Sequence, residues 1–327
     1  MLLITAAHDL EIETDGLLEP LPLVEGIYAS WTPAFVANLV CSGMRSAMGG
    51  LEYLDLTEGL HPVLFSRVND EQYNDRPLAA LSAWHATIHM LFHCLWLIKD
   101  NSLNTERGFV ESRDSMGTEV ASSNSRASVY TCSDGRRRKV KYSQEEFAEA
   151  IDLYRTFDRL TNKAYGGNFP PTLSLKDQVK PTGTVVASIA VRPLTRVWYF
   201  LSAARDCADL SIKAAHYATC LEILFSTDST EISHKLAERV ALLLGDSPEE
   251  RRNLFYFVKS LYSVRSSVVH GDTVSRERLK DMISLSQRAD QLLRRVLRKI
   301  MGNSELCTLF ESSKENRERY FIDLVLS

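Results

Sequence analysis

Arg265 and His270 stand five positions apart in the run Leu261-Tyr-Ser-Val-Arg265-Ser-Ser-Val-Val-His270-Gly271. A guanidinium holds a phosphate through a planar fork of donors, and an imidazole moves protons near neutral pH. Together they could cleave a phosphodiester without a metal. The histidine would take the proton of a ribose 2′-hydroxyl or return one to the leaving 5′-oxygen, while the arginine stabilises the charge that develops on the phosphorane. The competing reading is an arginine paired with an acid and a histidine packed at a helix end.

The elements that must position this pair read as helices with explicit punctuation. Apolar residues at helical spacing, among them Trp198, Leu201, Ala208, Ile212, Ala215, Leu221 and Leu224, predict one long helix over 194–226. A second is expected over 231–244, closed by Gly245 as a left-handed residue. Ser247-Pro248-Glu249-Glu250 supplies a cap, a first-turn proline and a third-position glutamate, so a third helix starts there. It runs through Leu254, Val258, Leu261 and Tyr262 to His270, and Gly271 ends it. A fourth, over 276–300, turns Leu279, Ile283, Leu293, Val296 and Ile300 inward. Its last turns carry Arg294, Arg295, Arg298 and Lys299, where cations complement the helix dipole. Four helices with short connections make an up-down bundle. Residues five apart on a regular helix differ by about 140° in direction and about 7.5 Å in height. Arg265 and His270 therefore meet at one phosphate only if the helix loosens at Gly271 or if a second copy completes the site across a two-fold axis.

The first half is less regular. Residues 1–30 read as short strands or an irregular lead-in, and helical periods follow at 33–48 and 77–99. Residues 112–134, rich in Ser, Asn and Asp, are expected to form a long exposed loop. Next come a basic run and an amphipathic helix over 144–160. The Gly- and Pro-containing stretch 165–183 is the clearest boundary. A chain of 327 residues exceeds one usual core, so two domains are expected. The net charge is −4, yet residues 184–301 hold 18 Lys+Arg against 13 Asp+Glu. That surplus suits a phosphate-rich partner or a solvated helical surface. Six scattered cysteines without a C-x-x-C pair point to a cytoplasmic protein. The N-terminus reads as no signal peptide. The apolar run 86–98 is expected to be too short to span a bilayer, so no membrane is expected.

Other candidates surround the pair. Glu222, on the long helix among apolar neighbours, either orients Arg265 or His270 or forms a structural ion pair with Arg205 or Arg239. Tyr262, one turn before Arg265, either stacks on a base or packs in the core. Arg136, Arg137, Arg138 and Lys139 either grip an RNA backbone or form a solvated charge run. His85, His89 and His93 recur every four residues, but no glutamate base or acid cluster accompanies them. They read as polar groups at a domain interface, and no metal is expected. No phosphate-binding or dinucleotide glycine motif is present, so no cofactor is expected either.

Three phrases in order carry a resemblance. They are Ser202-Ala-Ala-Arg205-Asp206, then Tyr217-Ala-Thr-Cys-Leu-Glu222-Ile-Leu-Phe-Ser226, then Tyr262-Ser-Val-Arg265-Ser-Ser-Val-Val-His270-Gly271. Over about 184–301 the chain resembles the HEPN superfamily of all-helical RNases, most closely its ApeA-like branch. A weaker likeness to the segment preceding that domain lies at Leu95-Trp96-Leu-Ile-Lys99-Asp100-Asn101-Ser102. The resemblance implies a mainly α chain with a HEPN-like up-down four-helix bundle at 184–301. A mixed, mostly helical sensing or regulatory domain at 1–183 would precede it, and a C-terminal extension at 302–327 would follow. It also implies an R-x4-6-H site at Arg265 and His270, a homodimer joining two such motifs, and metal-independent RNA cleavage in phage defence or a toxin system. An inhibitor or a phage-derived trigger would be a further partner. Many members carry Asn, Asp or His directly after the arginine, and Ser266 holds that position here. The alternative is a non-catalytic RNA- or protein-binding module on the same scaffold.

Overall fold

A computed structural model describes residues 1–13, 19–24, 26–68, 77–113, 116–125, 129–165, 192–271 and 281–326, with the side chains of 161–165 left aside. The boundary stretch 166–183, the start of the predicted fourth helix and Leu279 lie outside the described residues. Among the described residues twelve helices and eight strands make the chain mainly helical. It divides into two compact units, one of residues 1–129 and 138–184, the other of residues 130–137 and 185–327.

The first unit is organised by a sheet; the short strands expected within 1–30 are there, whereas those at Val63–Arg67, Arg107–Arg113 and Glu119–Ser125 are not anticipated by the sequence. Its strands are β1 (Leu2–Ala6), β3 (Leu21–Pro22), β4 (Tyr28–Ser30), β5 (Val63–Arg67), β6 (Arg107–Arg113) and β7 (Glu119–Ser125). They lie in the order β3-β4-β5-β1-β6-β7, with every neighbour antiparallel. Central β1 is buried throughout, because alternate residues point to opposite faces and both faces are covered. Leu2, Ile4, Val63, Phe65 and Phe109 share one core with Val36, Met44 and Leu56 of three short helices. Those helices are α1 (Pro33–Leu39), α2 (Ser42–Ala47) and α3 (Gly50–Thr57). The expected helix at 33–48 thus breaks at Val40–Cys41, where the Cys41 thiol accepts the Met44 N–H and starts α2.

On the other face lies α4 (Pro77–Ile98), whose Trp84 indole donates to Ser66 at 2.8 Å. This helix is long and apolar enough to cross a membrane by length and composition, longer than the run expected from sequence. In this fold 61% of its most apolar window is buried inside the protein. It packs on β6, on β7 and on α5 (Gln144–Tyr165). A parallel pair, β2 (Leu10–Ile12) with β8 (Val140–Tyr142), completes the unit.

The second unit is helical. It comprises α6 (Pro193–Asp206), α7 (Leu210–Phe225), α8 (Ile232–Leu244), α9 (Pro248–His270), α10 (Met282–Met301), α11 (Ser304–Phe310) and α12 (Lys314–Leu326). Helix α7 is central and packs against α6, α8, α9 and α10. The single helix expected over 194–226 is two. The chain breaks at Cys207–Asp209, and the Asp209 carboxylate caps α7 by accepting the N–H groups of Ser211 and Ile212. Consequently Ala208 and Ile212, expected inward, are exposed. Ile283 is exposed as well, while Leu293, Val296 and Ile300 are buried.

Residues 112–134 are not one exposed loop. The last two residues of β6 and all of β7 belong to an antiparallel pair in the first unit, and Tyr130–Arg137 form a strap in the second. Tyr130, Thr131, Cys132 and Ser133 are buried. Thr131 donates from its N–H to the Arg205 carbonyl at 2.7 Å, and the Ser286 hydroxyl donates to the Ser133 carbonyl at 2.6 Å. The buried Lys213 ammonium donates to the Ala204 and Thr131 carbonyls, so it ties the end of α6 to the strap. Gly135 turns the strap with φ +77°, and a methyl group there would sit 2.7 Å from the Ala208 carbonyl oxygen. Gly135→Ala should therefore destabilise the second unit by more than the roughly 1–2 kcal/mol of left-handed strain alone. Urea unfolding followed by far-UV circular dichroism checks this; an unchanged midpoint would contradict the strap's role.

Helices α11 and α12 belong to the second unit. Arg317 of α12 donates to the carbonyls of Leu224 and Ile223, satisfying the C-terminus of α7. Arg239 of α8 donates to the Phe225 carbonyl and pairs with Glu318.

Candidate functional site

The site is built on two helix ends. Helix α9 starts where the sequence predicts: the Ser247 hydroxyl accepts the Glu250 N–H, and Pro248 takes the first turn. Leu254, Val258, Leu261 and Val264 face the core, which turns the neighbouring Arg265 toward α7. There Glu222, one turn before the end of α7, meets it: Arg265 Nη2 lies 3.2 Å from Glu222 Oε2. Glu222 thus faces Arg265, whereas Arg239 pairs with Glu318 and Arg205 lies over the Tyr130 ring.

Neither partner is spent by the pairing. Their side chains keep 23% and 22% of their exposure, so a solvent-borne anion can approach. Among the described residues Arg265 Nε, itself buried, has no hydrogen-bond partner, and the Oε2–Nη2 approach is an ion pair without hydrogen-bond geometry. A forked pair would use two parallel N–H donors on one carboxylate. Here the guanidinium is anchored at one corner and retains donors for a further oxygen acceptor. Tyr262 lies beneath it, with the guanidinium carbon 5.6 Å from the ring centroid. Burial, reinforced by the Glu222 carboxylate, raises the phenol above its ordinary pKa, so Tyr262 stays a neutral ring at physiological pH.

His270 is the last residue of α9 and is exposed. Gly271 follows with φ +75° and returns its N–H to the carbonyls of Ser267 and Val268. The helix is regular through His270. Arg265 and His270 of one chain stay about 140° apart around the axis. Ser266 is half-buried on the same turn as Arg265.

The remaining candidates lie elsewhere. Arg136, Arg137, Arg138 and Lys139 are exposed. Arg136 and Arg137 end the strap of the second unit, while Arg138 and Lys139 lead into β8 of the first. Lys139 and Lys141 stand near Glu11 and Glu13 of the paired β2 edge, at 3.7 and 3.4 Å, so part of this run is neutralised locally. His85, His89 and His93 are buried along α4. His85 stacks on Trp84, and the His89 ring lies 2.9 Å from the Thr105 hydroxyl, so these two serve the first unit's interior.

Comparison with protein-family models, with curated proteins and with solved structures finds no match to this chain.

Proposed function

We propose that the second unit is a HEPN-like four-helix nuclease and that the protein is a metal-independent endoribonuclease. The observation that carries this reading is the partly buried Arg265, paired with Glu222 at one corner, on the helix that ends in the exposed His270. The active species is a homodimer in which the Arg265 of one chain and the His270 of its partner face one phosphate. His270 removes the 2′-hydroxyl proton, the 2′-oxygen attacks phosphorus, and the 5′-oxygen leaves with a proton. Arg265 stabilises the phosphorane, and Glu222 positions Arg265. Ser266 offers a further hydroxyl beside the phosphate, and Tyr262 a face for a base. The first unit senses a trigger or restrains the nuclease, in keeping with a role in phage defence or a toxin system.

The test is cleavage of RNA by the purified full chain in EDTA. The products should carry 2′,3′-cyclic phosphate and 5′-hydroxyl ends. Equal cleavage by wild type and His270→Ala would sink the proposal.

A second reading, a non-catalytic RNA- or protein-binding module, draws support from the ion pair itself, because Glu222 offsets the charge that Arg265 would bring to catalysis. It predicts salt-sensitive RNA retention that survives His270→Ala, with no turnover.

A further inference from the structure

We propose that His8, Asp55 and His61 form a binding site for one divalent transition-metal ion of the zinc class, in the first unit. Their candidate ligand atoms all lie within 4.8 Å of one another. Asp55 stands at the centre: its two carboxylate oxygens lie 3.4 Å from His8 Nε2 and 3.7 Å from His61 Nε2. Metal–nitrogen and metal–oxygen bonds of about 2.0–2.2 Å place tetrahedral ligands roughly 3.3–3.6 Å apart, so the separations fit after small side-chain adjustments.

The backbone prepares this meeting. His8 follows β1 and is held by reciprocal hydrogen bonds with Asn104, 2.8 and 3.3 Å long. His61 precedes β5, and the adjoining Ala7 N–H donates to the Pro62 carbonyl at 2.8 Å, bringing the two histidine-bearing turns together. Asp55 projects from α3, which packs against β1. The two imidazole rings are 4.5 Å apart between centroids and tilted by 54°. His61 Nδ1 is buried with no hydrogen-bond partner among the described residues, so its ring is steered by His8 and Asp55.

The donor set selects the ion. Two imidazoles and one carboxylate suit zinc and its neighbours; magnesium and calcium prefer oxygen alone. Side-chain exposures of 13%, 34% and 18% for His8, Asp55 and His61 leave a path from solvent. Three protein ligands also leave a fourth position for water or another donor. The expectation of no metal rested on the histidines of α4 and on the scattered cysteines; this cluster joins residues 47 and 6 positions apart, a spacing without a motif.

The experiment is a Co²⁺ titration of the chelator-stripped full chain, followed by visible absorption, with Zn²⁺ as competitor. One equivalent should bind, with His61→Gln and Asp55→Asn each weakening affinity at least about 100-fold, since loss of outer-shell support alone costs 10- to 100-fold. His234→Gln, in the second unit, should bind as wild type does. Absence of stoichiometric binding by wild type, or binding unchanged in both ligand variants, would overturn the site. Should His61→Gln fail to fold, Asp55→Asn decides the matter, together with the rise in melting temperature that Zn²⁺ should give wild type and not this variant. None of these readouts depends on RNA cleavage, so the site and the proposed nuclease stand or fall separately.

Discussion

Mixing Arg265→Ala chains with His270→Ala chains should restore RNA cleavage that neither variant has alone. Each single variant should lose activity by about 10²- to 10⁴-fold, the range of a positioned proton-transfer group. The restoration follows from the geometry of α9. Arg265 turns inward to Glu222, while His270 ends a helix that stays regular to its last residue. On the proposed reading one chain does not present both groups to one phosphate, and the productive pair would join two chains. In a mixed dimer, one composite site lacks both groups and the other keeps both. Random exchange of two-fold dimers should then give about one quarter of wild-type activity. The measurement is cleavage by a subunit-exchanged mixture at constant total protein. No gain over the single variants would place Arg265 and His270 outside a shared dimeric site. Glu222→Gln should act more mildly, because it keeps the side chain beside Arg265 and removes only its charge.

How much of this was legible in the sequence depended on distance along the chain. The start of α9 is written in four consecutive residues, and Ser247, Pro248 and Glu250 occupy the roles expected of them. The Glu250 carboxylate, however, reaches back to the Asp246 N–H. Gly271 is left-handed as its position suggests, but Gly245 is extended at φ −83°. It is small for another reason: a methyl group there would press on the Ala241 carbonyl oxygen at 2.8 Å and on Arg251. The break at Cys207–Asp209 was hidden because apolar residues continue in helical spacing on both sides of Asp209. The strap was invisible for a stronger reason. Its partners Arg205, Lys213 and Ser286 stand 74, 82 and 153 residues away, and buried backbone hydrogen bonds leave no periodic trace. Glu222 stood out as an acid among apolar residues, yet only the packing of α9 on α7 selects Arg265 as its partner. The polar strand β7 carries Ser and Asn where strands usually carry β-branched residues, so pairing with β6 overrides its propensity.

Replacing Phe321 with alanine should cost about 3–5 kcal/mol of stability, a large fraction of the 5–15 kcal/mol that keeps a domain folded. Phe321 is 2% exposed, and its ring lies 5.7 Å from Phe225 and 6.2 Å from Phe310, which are themselves 5.5 Å apart. This cluster joins α7, α11 and α12 at the end of α7, where Arg317 and Arg239 hold its last carbonyls. The Arg239 guanidinium also lies 5.0 Å from the Phe321 ring centroid, so the truncation loosens that cation as well. Glu222 sits one turn away, and its carboxylate anchors Arg265. A cavity at Phe321 should therefore reach catalysis through the helix end, lowering cleavage even where the variant remains folded. Urea unfolding by circular dichroism measures the first effect. RNA cleavage at a temperature where the fold persists measures the second. Phe321→Leu, which retains apolar volume, should recover most of both; a loss below about 1 kcal/mol for Phe321→Ala would show that α12 is dispensable to the end of α7.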